Sequence, residues 1–200
     1  MPKIVDHDQR RKQIAETTWE VIRERGISQA TTRNIASRAG LSQGALRHYF
    51  PKHTDLMMFA MDLVIERVTE RLQSLDQKGL APLEKVVEYL TELLPTNDAK
   101  MLEMEVWFAF VSHARSSSEL DVQYGHLQTA VKDVIVFLDN QGILHPDLNV
   151  AFEQEKLYAF INGLALNLYL EPGVRTESQI KEMIVDDVKK RMVNKERTDD

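Results

Sequence analysis

The chain contains no cysteine. That excludes disulfide scaffolds, zinc–thiolate sites, iron–sulfur clusters and thiol nucleophiles, and it fits a reducing compartment. Chain breakers are scarce as well, with eight glycines and six prolines in 200 residues, where average usage would put the pair at about 12%. Few breakers alongside abundant Leu, Glu, Val, Ala and Lys predict a mostly helical protein. Long apolar runs are missing. The densest, Leu157 to Leu170, is interrupted by Asn162 and Asn167 and falls short of the roughly 20 residues a membrane span needs. The first residues, Met-Pro-Lys-Ile-Val-Asp-His-Asp, hold no apolar signal core. The expectation is a soluble, cytoplasmic protein with no membrane partner. There is no β-hairpin signature, internal repeat or low-complexity segment.

What is present is unevenly distributed. The net charge is −6, yet residues 1–55 carry ten Lys and Arg against six Asp and Glu. A basic end on an acidic body directs that first segment towards a polyanion. The length and the 43% hydrophobic content suit one compact domain or two small ones.

Hydrophobic periodicity is helical almost throughout. Ile14, Thr18, Val21 and Ile22 mark a first helix over about 8–25, stopped by Gly26. A second runs from Thr32 to Ala39, capped by Thr31 or Thr32, and a third starts after Ser42 and ends near Phe50-Pro51. A long fourth begins at Lys52 or Thr54 and ends before Gly79. Pro82 suits the first turn of a fifth helix. A sixth, carrying Met101, Met104, Trp107, Phe108 and Val111, stops near Ser116-Ser117-Ser118. A seventh carries the stripe Leu120, Tyr124, Leu127, Val131, Val134 and Leu138. An eighth spans about 148–170, and a ninth carries Ile180, Ile184 and Val188 before a polar tail from Asn194. The fold class is therefore all-α, with about nine helices.

Residues 27–56 are the informative segment. Two short helices flank a turn containing Gly40, the arrangement of a helix-turn-helix. Ala36 is small where the helices cross, and Gly40 can take positive φ. Ile35, Ala39, Leu41, Leu46 and Tyr49 supply a miniature core. Gln43 and Arg47 are i, i+4 neighbours on the opposite face, with Gly44 and His48 beside them. Gln can pair with adenine edges in a major groove, and Arg with guanine edges or phosphates. The helix starts at Thr32 and Ser42 offer backbone N–H groups to phosphate oxygens.

Catalytic signatures are lacking. The six histidines (His7, His48, His53, His113, His126 and His145) form no H-E-x-x-H pair or other metal spacing, and there is no Gly-rich phosphate loop. No metal, cofactor or enzymatic activity is expected. His145-Pro146-Asp147 reads as a loop capping the eighth helix, and Glu153 with Lys156 as an exposed ion pair. The alternative class is an all-helical small-molecule or lipid-binding protein without a nucleic-acid role. It would require neither the helix-turn-helix, nor the Gln43/Arg47 face, nor the charge asymmetry.

Over about residues 8–64 the sequence resembles the TetR family of transcriptional regulators; beyond that the likeness is one of helix count and length. Its pattern ends the recognition helix in an aromatic cluster and Phe, then places a Lys at the next helix. Here that stretch reads Gly44-Ala-Leu-Arg-His-Tyr-Phe50-Pro-Lys-His53-Thr-Asp-Leu56. The His-Tyr-Phe ending looks like the BetI-type branch, whose known members answer to choline or related compounds. The usual aromatic phosphate contact is Arg47 here, and the usual Lys falls on His53 with Lys52 just before it. His53 is only partly charged near neutral pH, so Lys52 is the substitute. The resemblance implies a DNA interface drawn from Thr32, Arg33, Ser42, Gln43, Gly44, Ala45, Arg47, His48, Tyr49, Lys52 and His53.

It also implies a homodimer on a palindromic double-stranded operator, most often a repressor released by a small effector. The eighth helix is apolar on more than one face, as a dimer element should be. The expected interface comprises Phe160, Ile161, Leu164, Ala165 and Leu168, and on the ninth helix Ile180, Met183, Ile184 and Val188. Candidate effector-pocket residues are Met101, Met104, Trp107, Phe108, Phe110 and His113, with Tyr158 and Asn162. Glu103 and Glu105 beside Trp107 suit a cation. The expected division is a DNA-binding domain over 1–55, an effector and dimerisation domain over 56–194, and a tail over 195–200.

Overall fold

A computed structural model describes residues 7–116 and 125–193. Lys3, Ser117, Ser118, Leu120, Tyr124 and the tail over 195–200 lie outside them. The described residues form nine α-helices: α1 His7–Arg25, α2 Thr32–Arg38, α3 Gln43–Tyr49, α4 His53–Asp76, α5 Pro82–Glu92, α6 Asp98–Ser116, α7 Gly125–Asn140, α8 Val150–Leu170 and α9 Glu177–Lys189. A short 3-10 turn, Ile27–Gln29, separates α1 from α2 and is not evident from periodicity. No described helix is long and apolar enough to cross a membrane.

The chain packs as two compact units. The first holds α1 to α3, α4 as far as Arg67, and α6. Its core gathers Ile14, Trp19, Ile22, Ile35, Leu46, Phe50, Leu56, Ala60 and Met61 with Val106 and Phe110 of α6. Burial of the Trp19 indole leaves its N–H in need of a partner, and Nε1 donates to the Ala60 carbonyl at 2.8 Å. This division follows packing. The boundary expected above lies near residue 55, whereas this packing unit runs to Arg67 and takes in α6.

In the second unit α7 packs on α8 and α9 on α5. Pro82 opens α5 at its first turn. Asn149, rather than the His145-Pro146-Asp147 run, caps α8: its Oδ1 accepts from the Phe152 N–H at 3.1 Å. Thr176 and Gln179 form a reciprocal capping box on α9. An isolated antiparallel bridge joins Leu144 to Met192.

One expectation is corrected in part. Glu153 and Lys156 do pair, Nζ to Oε1 at 2.9 Å, and Lys156 is exposed as expected, but its carboxylate partner is buried. Glu153 is 3% exposed and shares its other oxygen with Arg191, which is 4% exposed. A helical spacing of three reveals the first contact; it says nothing of a cation 38 residues away.

Candidate nucleic-acid interface

The helix-turn-helix is built by local chemistry. Thr31 caps α2, its hydroxyl accepting from the Asn34 N–H at 3.2 Å. Gly40, at φ +66°, reverses the chain. The Leu41 N–H then donates to the Ala36 carbonyl at 2.9 Å and closes the turn. Ser42 caps α3, its Oγ accepting from the Ala45 N–H at 3.1 Å. Ile35, Ala36 and Leu46 are buried between the two helices, while Ala39, Leu41 and Tyr49 are half-buried.

The opposite side of α3 is open. Ser42, Gln43, Gly44, Arg47 and His48 are exposed and Ala45 is half-buried. Arg33 of α2 is exposed, and Thr32 beside it is half-buried. Lys52 and His53 are exposed at the start of α4. The Tyr49 ring lies 5.1 Å from His7 and 5.5 Å from His48, which ties the start of α1 to the end of α3.

His53 makes a contact within the chain that the sequence did not suggest. Its Nε2 lies 2.7 Å from the Ala30 carbonyl, so that edge of the ring holds the segment leading into α2. Lys52 keeps its ammonium exposed while its backbone N–H donates to Asp55 Oδ2 at 3.2 Å.

The basic residues of this end divide into two sets. Lys12 pairs with Glu66, Arg23 with Glu105, and Arg38 with both Glu20 and Glu24. The Arg11 guanidinium lies 4.8 Å from the Phe50 ring centre and 4.3 Å from that of Phe59, and holds α1 against α3 and α4. Arg33, Arg47 and Lys52, by contrast, have no carboxylate partner among the described residues. Intramolecular pairing therefore leaves positive charge uncompensated beside the exposed face of α3.

The pocket candidates fall into separate groups. Met101, Met104, Trp107, Phe108 and His113 are half-buried on α6. The Trp107 and Phe108 rings stand edge to face at 5.1 Å. Phe110 is fully buried in the core of the first unit and presents no surface to a ligand. Tyr158 and Asn162 are half-buried on α8, in the second unit. Glu105 is held by Arg23 at 3.2 Å, and Glu103 is buried rather than solvated.

The expected dimer residues also need sorting. Ile161, Leu164, Ala165, Leu168, Ile180, Ile184 and Val188 are all buried within the chain itself. Their side chains are already committed to the subunit's own core. Phe160 is half-buried and Met183 is 40% exposed. The exposed apolar side chains of α8 are Phe152 at 62%, Leu166 at 43% and Leu170 at 64%. With exposed Ala159 and Gly163 they form one stripe at seven-, four- and three-residue spacings. Both sets lie on a helix apolar around its axis, so sequence alone does not say which face turns inward.

Residues 14–57 match the family described as bacterial regulatory proteins, tetR family. Residues 82–192 match that of the BetI-type transcriptional repressor, C-terminal. The HTH-type transcriptional regulator PksA of Bacillus subtilis strain 168 is 45% identical over 189 residues, covering 94% of this chain and 92% of that protein. The HTH-type transcriptional regulator BetI of Escherichia coli O17:K52:H18 is 30% identical, covering 85% of this chain and 87% of its own. The fold is shared with a transcriptional regulator of Saccharomonospora viridis in complex with choline, at a TM-score of 0.77 and 20% identity. That likeness covers 94% of this chain and all 100% of that one.

Proposed function

Because the chain belongs to the TetR family of bacterial regulatory proteins, with a BetI-type C-terminal region, and is a ligand-responsive DNA-binding transcriptional regulator, we propose that it represses as a homodimer on a palindromic operator and leaves the operator when a small effector binds. The observation that carries the DNA side is the exposed Gln43/Arg47 face of α3, with Arg47 uncompensated and flanked in the chain by the uncompensated cations Arg33 and Lys52. Gln43 reads base edges, and Arg47 beside it takes the phosphate contact usual at its position. Arg33, Lys52 and the capped starts of α2 and α3 hold phosphates. Ser42, Gly44, Ala45, His48, Tyr49 and Thr32 complete the surface, and His53 supports it from behind through Ala30. The chain acts by binding alone, in the cytoplasm where the chromosome lies.

The dimer is formed across the exposed stripe of α8 with Met183 and Phe160, not through the side chains buried in the subunit core. Ala159 and Gly163 sit in the middle of the stripe, where small side chains let a second helix come close. On α6, Met101, Met104, Trp107 and Phe108 offer thioether and ring surface to an effector. Tyr158 and Asn162 are separate candidates on α8. Effector binding to dimers with one separation of recognition helices draws the population away from those that fit the operator.

The decisive experiment is a gel shift with the DNA upstream of the protein's own gene. Arg47→Ala should weaken binding by about tenfold or more, the range of a lost base or phosphate contact, with the melting temperature unchanged. Undiminished affinity at physiological salt would remove α3 from the interface.

A further inference from the structure

The α8–α9 hairpin is closed at one end by its own turn, residues 171–176. Nothing in the covalent chain closes the other end, where α8 begins and α9 finishes. The two helices also lean on different neighbours, α8 on α7 and α9 on α5. Across the open end lies a cluster of charges centred on the buried pair Glu153 and Arg191. Arg191 Nε donates to Glu153 Oε2 at 2.9 Å. Arg191 Nη1 donates to the Asp187 carbonyl at 2.6 Å and to the Asp187 carboxylate. Lys156 Nζ donates to the second Glu153 oxygen at 2.9 Å. Two cations face two carboxylates, so the cluster is neutral. Backbone bonds continue it: the His145 N–H donates to the Arg191 carbonyl at 2.9 Å, and the Val193 N–H to the Ile143 carbonyl at 3.0 Å.

We propose that Arg191 is a positioning residue that fastens the open end of the α8–α9 hairpin and so presets the two-helix surface that receives a second copy of this chain. This rests on the homodimer reading above. A buried ion pair is a poor device for stability alone, because apolar side chains of similar volume hold a core at least as well. What it adds is direction. The planar guanidinium meets the first turn of α8 and the last turn of α9 at fixed angles, and an apolar replacement slides. The exposed stripe starts at Phe152, next to Glu153 in the chain, and Met183 lies on α9 one turn, four residues, before Asp187. If the open end splays, the two parts of the surface separate before any partner arrives. A preset surface binds more tightly because its ordering cost is met in the free subunit.

The test compares the full chain with Arg191→Met and with the double variant Glu153→Leu/Arg191→Met. Each is followed by thermal unfolding and by sedimentation over a concentration series. The single variant loses both stability and association. The double variant recovers the wild-type melting temperature, since both fully buried charges are removed together and Lys156 and the partly exposed Asp187 can turn to solvent, yet its dimer dissociates about tenfold more readily or worse. A double variant with wild-type melting and wild-type association overturns the positioning role and leaves the homodimer reading intact. A wild-type chain that is monomeric at every concentration overturns both. A measurement independent of the variants uses amide exchange on wild-type protein diluted below its dimer midpoint. The His145 and Val193 amides stay protected if the fastening precedes association; rapid exchange there overturns the proposal.

Discussion

At residue scale, Gly44 is informative because the fold does not require it. Its backbone is not in the left-handed region, and a Cβ there would meet only Ser42 Oγ, at 3.9 Å. Glycine in a helix costs about 0.5–1 kcal/mol relative to alanine, and nothing inside the chain offsets that. On the DNA-binding reading the missing Cβ leaves room for a base edge or sugar. Gly44→Ala should therefore raise the melting temperature slightly while weakening operator binding, and a gel shift beside a thermal melt checks both signs. His53 makes the opposite point. Its place at the start of α4 was legible in the sequence, but its bond to Ala30, 23 residues earlier, was not. His53→Lys would restore the charge usual at that position and lose the ring's hold on Ala30. Binding should fall despite the added cation, and a gain in affinity would show the ring to be dispensable.

At the scale of elements, what was legible was local. Thr31, Ser42 and Gly40 act within three or four residues of themselves, and each forms the cap or turn its type implies. The α3 face was legible for the same reason, since i, i+4 spacing alone places Gln43 beside Arg47. The orientation of α8 was not. A helix apolar all round can turn any face inward, and the choice depends on how it packs against α7, which no spacing within α8 reveals. The consequence is measurable. Leu164→Glu buries an unpaired carboxylate and should cost about 3–5 kcal/mol, the range for uncompensated buried charge, which shows as unfolding. Leu166→Glu sits on the exposed stripe and should leave the melting temperature nearly unchanged while yielding monomers in sedimentation. If both variants stay dimeric and folded, the contact surface lies elsewhere.

For the whole molecule, charge sets the response to solvent. Pairing within the first unit neutralises Lys12, Arg23 and Arg38 and leaves Arg33, Arg47 and Lys52 for phosphates. Operator affinity should drop steeply with salt, by about a thousandfold between 50 and 200 mM for some six phosphate contacts per dimer. A flat response would count against this surface. In the second unit, burial pushes the Glu153 carboxyl up, but the hydrogen bonds and charges of Lys156 and Arg191 outweigh it and hold the group below its ordinary 4.5. A depressed carboxylate adds stability that is complete above its ordinary value and is lost as pH falls through the depressed one. The stability advantage of wild type over Glu153→Gln should accordingly be full near neutrality and shrink in acid, as thermal melts across pH would report.

The placement of α6 has a practical corollary. Val106 and Phe110 belong to the same core as Trp19 and Leu46. A chimaera that borrows only the N-terminal helices and fuses them to a foreign sensor would therefore inherit an open hydrophobic wound. A transplant able to fold would have to carry α6 with it, and with α6 come Trp107 and Phe108. In this protein the helix-turn-helix and α6 are one folding unit.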